Sequence, residues 1–145
     1  MIDRKIIKGS HGASGEVGHM ILEMSKESDF EDLGANKFVK KLLGVDAQKA
    51  AEMAKSGNAK TEKVFAELGK NIGVGIANVI NIFDPEAVIL SGGLINLKKY
   101  LTPGIKEGIE KFVISPAAKK TKVIFSKLGV FGGALGATLL FPESQ

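Results

Sequence analysis

Residues 78–93, with the sequence NVINIFDPEAVILSGG, join the end of a helix to a strand and a glycine loop. Apolar side chains recur every three or four positions before this stretch, which predicts a helix over 59–83. Asp84-Pro85-Glu86 ends that helix. The continuous apolar run 87–90 is typical of a strand buried on both faces of a parallel sheet. This order of elements predicts an α/β fold.

The remaining elements follow from the same kind of pattern. Three glycines inside the long helix, at 69, 73 and 75, predict a close contact that a side chain would block. Asp29 is a candidate N-cap and Gly44 a natural helix stop. Pro103 is expected near a helix break or at a first helical position. The other predicted elements are strands over 1–8, 20–22 and 122–126, and helices over 30–43, 46–55, 97–112 and 134–141.

Composition sets outer limits on the fold and the chemistry. The chain has 145 residues, 44% of them hydrophobic, which suits one domain. It has no cysteine, which excludes disulfides and a thiolate zinc site. The net charge of +4 comes without the interleaved aromatic side chains of a nucleic-acid reader, so we expect no nucleic-acid partner. No apolar run is long enough for a membrane span and no signal-peptide core is found, so we expect a cytoplasmic protein.

A glycine-rich loop over 9–19 carries two side chains suited to a ligand, Glu16 and His19. Carboxylate oxygens accept hydrogen bonds from vicinal hydroxyls, and imidazole can donate or accept them, so the pair suits a sugar. The alternative is that Glu16 caps local amides and His19 is an ordinary surface histidine.

Two glycine segments follow strands and precede helices. Gly92 and Gly93 allow a ligand to approach the backbone and aim helix N-terminal amides at it. The alternative is a tight strand-to-helix turn that binds nothing. The second segment, 129–136, does not have the spacing of a dinucleotide fingerprint, and the chain contains no phosphate-binding GxxxxGK[ST] sequence.

Three motifs together resemble the ROK family of repressors, open reading frames and sugar kinases. GEVGHM at 15–20 resembles the family's GE[IV]GH motif. NVINIFDP at 78–85, followed by VILSGG at 88–93, resembles its helix end and nucleotide loop. GGALGA at 132–137 is similar to the closing helix. Their order and spacing agree with the family, and the resemblance covers essentially the whole chain.

The resemblance implies a ribonuclease-H-like, actin-like ATPase lobe with a mixed sheet packed by helices. In the family, two lobes close over a hexose and ATP with Mg. Glu16 and His19 match sugar-binding positions, and Glu31 falls where a further sugar-contacting glutamate ends a CxE motif. Gly92 and Gly93 match the nucleotide side, and Gly132 is a candidate near the adenosine. Homodimers are common in the family, and an open edge on the predicted first strand would favour self-association.

Two departures from the family pattern limit what the resemblance implies. Many members bind zinc through the motif histidine and three cysteines, and a chain without cysteine is predicted to bind none. The kinases also carry a DxGGT-type phosphate motif and a catalytic aspartate upstream of the GExGH loop. Only 14 residues precede Gly15, so we expect residues 1–145 to be a single C-terminal lobe without the N-terminal lobe, with no catalytic residue and no activity alone.

Three functions remain open at this point. The leading one is the sugar-binding lobe, carrying part of the ATP site, of a glucokinase-like or fructokinase-like hexose kinase. The second is the sugar-sensing lobe of a ROK-type transcriptional repressor, which upstream sequence would distinguish. The third is a stand-alone dimerising binding module.

Overall fold

The computed structural model describes residues 7–139, and the fold within that range is α/β. Strands β1 (Ile21–Glu23) and β2 (Ser28–Asp29) form an antiparallel hairpin. Strands β3 (Ala87–Leu90) and β4 (Lys122–Phe125) pair in parallel, with Ala87 opposite Lys122 and Leu90 opposite Phe125. Within residues 7–139 these strands form two small sheets, one antiparallel and one parallel. The predicted first strand lies outside the described residues over 1–6, and Ile7 and Lys8 belong to no regular element. The elements are β1 (Ile21–Glu23), β2 (Ser28–Asp29), α1 (Phe30–Gly34), α2 (Asn36–Leu43), α3 (Ala47–Lys55), α4 (Ala59–Phe83), β3 (Ala87–Leu90), α5 (Lys98–Phe112), β4 (Lys122–Phe125) and α6 (Gly132–Thr138).

The core is built on α4, whose predicted bounds are confirmed. Its buried face packs against α5 at very short range. A β-carbon on Gly73 would lie 2.7 Å from the carbonyl oxygen of Ile105, and one on Gly108 would lie 2.6 Å from the carbonyl carbon of Gly73. Distances this short are below any van der Waals contact, so only glycine allows the two backbones to meet. The predicted close contact is confirmed, and it fixes the distance between α4 and α5.

Local capping signals set several helix ends. The Asp29 carboxylate accepts a hydrogen bond from the Asp32 amide at 2.8 Å and begins α1, as predicted. Asp46 caps α3 in the same way, through the Lys49 amide. Gly44 ends α2 with a φ of +71°, in the left-handed region that favours glycine.

Two helix predictions need correction. The helix predicted over 30–43 is two helices, α1 and α2, because the backbone of Ala35 between them is extended. At the start of α2, the Asn36 side chain accepts a hydrogen bond from the Ala47 amide at 2.7 Å. Pro103 lies inside α5 rather than at a break. Pro103 is exposed, which explains why it is tolerated there. Proline has no N–H, so the carbonyl four residues earlier has no amide partner and can be hydrated instead.

The prediction that β3 is buried on both faces is wrong for the described part of the chain. Val88 and Leu90 pack toward the core, whereas Ile89 is 66% exposed. Ile124 on β4 is likewise 45% exposed. The physical reason, within residues 7–139, is that the strands meet the core through the alternate side chains Val88, Leu90, Val123 and Phe125, which leaves the other face uncovered. No helix within residues 7–139 has both the length and the apolar character that crossing a bilayer requires.

Candidate functional site

His19 and Asp29 form the central contact of the predicted sugar site. The His19 Nδ1 atom lies 3.0 Å from Oδ2 of Asp29. His19 ends a single turn of 3-10 helix, Val17–His19, that follows Glu16. The hydrogen bond to Asp29 is the main reason why the pKa of His19 is raised above its ordinary 6.5, and the charge on Asp29 adds to the effect.

The β1–β2 hairpin brings these two residues together. Ile21 on β1 pairs with Asp29 on β2, and the Phe30 amide donates a hydrogen bond to the Met20 carbonyl at 2.8 Å. The chain reverses at Glu27, whose φ is +51°. Asp29 was expected only as a helix cap, so its contact with His19 was missed. A ten-residue separation across a hairpin leaves no local sequence signal for such a pair.

The three predicted sugar-binding side chains lie on one exposed surface around this pair. The Glu31 side chain lies over Gly18, with Oε2 3.9 Å from the position of a β-carbon there. Glu16 immediately precedes the 3-10 turn that His19 ends, and its carbonyl accepts a hydrogen bond from the His19 amide at 3.1 Å. The charges on Glu31 and Glu16 add to the rise in the pKa of His19 that Asp29 mainly causes. All three side chains are exposed to solvent. The structure therefore brings together Glu16, His19 and Glu31, and adds Asp29 to them.

The alternative role for Glu16 was to cap local amides. Glu16 does occupy the N-cap position of the 3-10 turn, but its side chain makes no capping hydrogen bond. Only its backbone carbonyl is used, accepting from the His19 amide at 3.1 Å. Its carboxylate is therefore not committed to the local backbone.

The core holds the segment that carries Asp29 and Glu31. Phe30, between them, places its ring where β-carbons on Gly34 and Gly75 would lie. The Asn71 side chain donates a hydrogen bond to the Leu33 carbonyl at 3.0 Å, which is a second tie between α4 and α1. The acidic side chains of the site thus project from a segment anchored on the longest helix.

The predicted nucleotide-side glycines also lie near one another. Gly92 has a φ of +99°, and β-carbons on Gly92 or Gly93 would meet nothing within 4 Å. A β-carbon on Gly132 would lie 2.6 Å from the Ser91 hydroxyl oxygen, and that hydroxyl donates a hydrogen bond to the Gly129 carbonyl at 3.2 Å. The loop after β3 and the start of α6 are therefore in contact, with open space in front of the glycine pair.

A cleft of about 950 Å³ opens beside this loop. Gly93 is on one wall, and the facing wall comes from the start of α2 and one side of α3 along its whole length. The polar side chains lining it are Asn36, Asp46, Gln48, Glu52, Lys55 and Asn96. A second cavity, of about 510 Å³ between α5 and β4, includes none of the predicted site residues. The first cleft is therefore the one that a nucleotide bound at the glycine loop could enter.

A metal ion in a protein is usually held by several His, Asp or Glu side chains. Within residues 7–139, no three His, Asp or Glu side chains are grouped so as to hold a metal ion. The open backbone at Gly92 and Gly93 does suit the close approach of a phosphate. A magnesium ion at such a site takes most of its ligands from the phosphates and water.

Comparison with known proteins gives one family and a consistent fold. The model of the ROK family matches residues 1–144. The chain is 23% identical to a xylose repressor of Bacillus spizizenii over 99% of its length and 40% of the repressor. It is 26% identical to an N-acetyl-D-glucosamine kinase of Vibrio parahaemolyticus over 95% of its length and 53% of the kinase.

A solved structure extends the likeness to the fold. A ROK family glucokinase from Streptomyces griseus, in complex with glucose and AMPPNP, superposes with a TM-score of 0.79 at 21% identity. The match covers 97% of this chain and 55% of the glucokinase. The chain spans about half the length of the curated relatives it matches. The fold is that of the ROK kinases, the actin-like ATPase fold, and the chain belongs to the ROK family.

Proposed function

We propose that this chain is the sugar-binding lobe of an ATP-dependent hexose kinase of glucokinase-like or fructokinase-like type. The observation that carries the proposal is the exposed cluster of Glu16, His19 and Glu31, with His19 hydrogen-bonded to Asp29. Two carboxylates beside an imidazole can accept hydrogen bonds from adjacent sugar hydroxyls, while the imidazole binds a third hydroxyl. The glucose-bound ROK glucokinase of the same fold supports a hexose as the ligand.

The nucleotide side of the proposal rests on the glycine loop. Gly92, Gly93 and Gly132 would contribute one wall of the site for ATP, with the cleft beside Gly93 taking the nucleoside. The relative bound to AMPPNP supports this ligand class. Bound ATP with Mg would supply the phosphoryl group, and the glycine backbone would let the phosphates approach.

The chain would not catalyse phosphoryl transfer by itself. Transfer depends on positioned phosphates and on a group that orients the attacking hydroxyl. The 145 residues contain no DxGGT sequence, and none of the proposed site residues is assigned as the base. We therefore expect no glucose-dependent ATP turnover above background from the purified chain. Such turnover would contradict this part of the proposal.

A sugar-sensing lobe of a ROK-type repressor is the second candidate. The likeness to a xylose repressor favours it, and the sugar site would be the same in both proteins. The difference lies at the glycine loop, because a sensor needs sugar but not ATP. Binding of AMPPNP that a Gly93→Val substitution abolishes would favour the kinase, and sugar binding without AMPPNP binding would favour the repressor.

Calorimetric titration of the purified chain with D-glucose tests the sugar site. Glu16→Gln removes one carboxylate and should weaken binding about tenfold, the size expected for loss of one charged hydrogen bond. Glu86→Gln makes the same change in charge at an exposed loop position outside the cluster and should leave binding unchanged. Equal affinities for the parent chain and Glu16→Gln, or no heat with the parent, would contradict the proposed site.

We also propose a cytoplasmic homodimer. The described sheet of β3 and β4 has only two strands, and strands with free edges recruit further strands. Exposed Ile89 and Ile124 on its outer face add apolar area that association would bury. Light scattering at micromolar concentration should give twice the mass of one chain, and a monomer would contradict the assembly.

A further inference from the structure

We propose that Asp29 is a positioning residue for His19. Its carboxylate accepts a hydrogen bond from the protonated Nδ1 of the His19 ring, and this leaves Nε2 directed toward a sugar hydroxyl. The inference rests on the proposed sugar site and deepens it, because it assigns the ring atom that meets the ligand. Asp29 itself would touch His19 and not the sugar.

Asp29 is a fixed hydrogen-bond partner for the exposed His19 ring, which could otherwise rotate. The His19 side chain is 65% exposed, and exposed imidazoles rotate freely about their side-chain bonds. The Asp29 side chain is only 21% exposed, and both its oxygens are engaged. Oδ1 accepts from the Asp32 amide at 2.8 Å, and Oδ2 lies 3.0 Å from His19 Nδ1. The carboxylate is thus held by the start of α1 and holds the ring in turn.

The backbone around Asp29 is held by the core. Asp29 is paired with Ile21 in the hairpin, and Phe30 beside it seats its ring on Gly34 and Gly75. The position of the carboxylate therefore follows from packing on α4, and does not depend on an exposed loop.

The chemistry of the pair selects one tautomer. The Asp32 amide and then the His19 ring lower the pKa of Asp29, so the carboxyl is ionised and can only accept hydrogen bonds. Nδ1 must then carry the proton, and Nε2 on the far side of the ring is left for the ligand. In the neutral ring Nε2 accepts from a hydroxyl, and in the protonated ring it donates. Without Asp29, the neutral ring would exchange between the two tautomers.

Asp29→Asn separates this role from helix capping. The asparagine carbonyl still accepts from the Asp32 amide, whereas its NH₂ group can only donate to Nδ1 and so drives the ring proton to Nε2. Asp84→Asn is the control, because it makes the same change from carboxylate to amide at an exposed residue at the end of α4, outside the candidate sugar site.

Ring ¹⁵N chemical shifts measure the tautomer without any ligand. The chain has two histidines, so His11→Gln assigns the His19 signals. At a pH where the ring is neutral, we expect the parent and Asp84→Asn to carry the proton on Nδ1 and Asp29→Asn to carry it on Nε2. Glucose affinity should fall about tenfold in Asp29→Asn and not in Asp84→Asn, as for a lost hydrogen bond to the ligand.

The outcomes distinguish this inference from the proposed function. An unchanged His19 tautomer in Asp29→Asn would overturn the positioning role even if Glu16→Gln weakens glucose binding. A changed tautomer with undiminished glucose affinity would also overturn it, because Nε2 would then not meet the sugar. If the tautomer changes in Asp29→Asn but the parent chain binds no glucose, the Asp29–His19 pairing stands. The proposed sugar site is then wrong, and the assignment of Nε2 to a sugar hydroxyl is wrong with it.

Discussion

The ring of Phe30 occupies the space that a β-carbon on Gly75 would fill. This contact joins α1 to α4, and Phe30 is flanked by Asp29 and Glu31, two of the four side chains of the candidate sugar site. A core contact between an aromatic ring and a glycine therefore places the acidic groups of an exposed surface. At this point of the fold, core packing sets the position of the candidate site.

Gly75→Ala should destabilise the protein by about 1–3 kcal/mol, the usual cost of forcing extra carbon into a packed site. The Phe30 ring must move, and Asp29 moves with it. Urea unfolding measures the loss of stability, and the ring ¹⁵N signals of His19 should shift in the same variant.

Gly136→Ala serves as the control for that substitution. Gly136 lies in α6, and a β-carbon there would meet nothing within 4 Å. Gly136→Ala should raise the free energy of unfolding by up to about 1 kcal/mol, because alanine has a higher helix propensity than glycine. If Gly75→Ala unfolds at the same urea concentration as the parent chain, Phe30 does not depend on Gly75.

Gly108→Ala should cost about 3 kcal/mol or more, at the upper end for overpacking. The obstructing atoms belong to the backbone of Gly73, which cannot rotate away as a side chain can. Urea unfolding of this variant, beside the exposed Lys106→Ala in the same helix, measures the difference. A loss smaller than that of Gly75→Ala would contradict this ranking.

The stability that the His19–Asp29 pair supplies should depend on pH. The hydrogen bond from the His19 ring to Asp29 raises the folded-state pKa of His19 above 6.5. The stability that His19 contributes is therefore complete below pH 6.5 and is lost as the pH rises through the folded value. The hydrogen bond from the Asp32 amide lowers the pKa of Asp29 below 3.8. The stability that Asp29 contributes is therefore present above pH 3.8 and is lost as the pH falls through the folded value. The pair should therefore stabilise the fold most between 3.8 and 6.5.

The measurement is the urea midpoint of the parent chain minus that of His19→Gln, from pH 3.8 to above the folded pKa of His19. The difference should be largest below pH 6.5 and should shrink above the folded pKa of His19. Because the charges on Glu16 and Glu31 also face the ring, Glu16→Gln should reduce the difference slightly. His11→Gln is the matched control. A difference that grows with rising pH would have the wrong sign for this pair.

Asn81→Ala should loosen the end of α5. The Asn81 side chain donates to the Phe112 carbonyl at 3.0 Å and accepts from the Ile114 amide at 3.1 Å. Losing both hydrogen bonds should cost about 1–3 kcal/mol. Amide hydrogen exchange gives a local measure: the Ile114 amide should exchange faster, whereas the Asp84 amide, bonded to Ile80, should not change. Unchanged exchange at Ile114 would show that Asn81 does not hold this turn.

The structure assigns physical roles to parts of the motifs that carried the family resemblance. Asn81, from the helix end before β3, ties α4 to the residues that follow α5. Gly92 adopts a φ that other residues rarely take, and Gly132 leaves room for the Ser91 hydroxyl. The roles of Glu16, His19, Glu31 and the three loop glycines in ligand binding remain predictions.

Short-range patterns in the sequence were enough to determine the extent of α4, the strand 87–90, the cap at Asp29 and the stop at Gly44. Each depends on residues within a few positions of one another, because helix periodicity and capping hydrogen bonds span only one or two turns. The internal glycines of α4 likewise indicated a close contact, because glycine is costly in a helix unless a neighbour needs the space.

Tertiary structure alone decided which groups face each other. Nothing local predicts that Asp29 holds His19, that Phe30 lies on Gly75, or that Ile89 is exposed on an uncovered face of β3. These relationships depend on how the hairpin reverses the chain and on which face of the strands meets the core. Contacts between residues distant in sequence are settled by the packing of the whole chain, so they leave no periodic or capping signal to read.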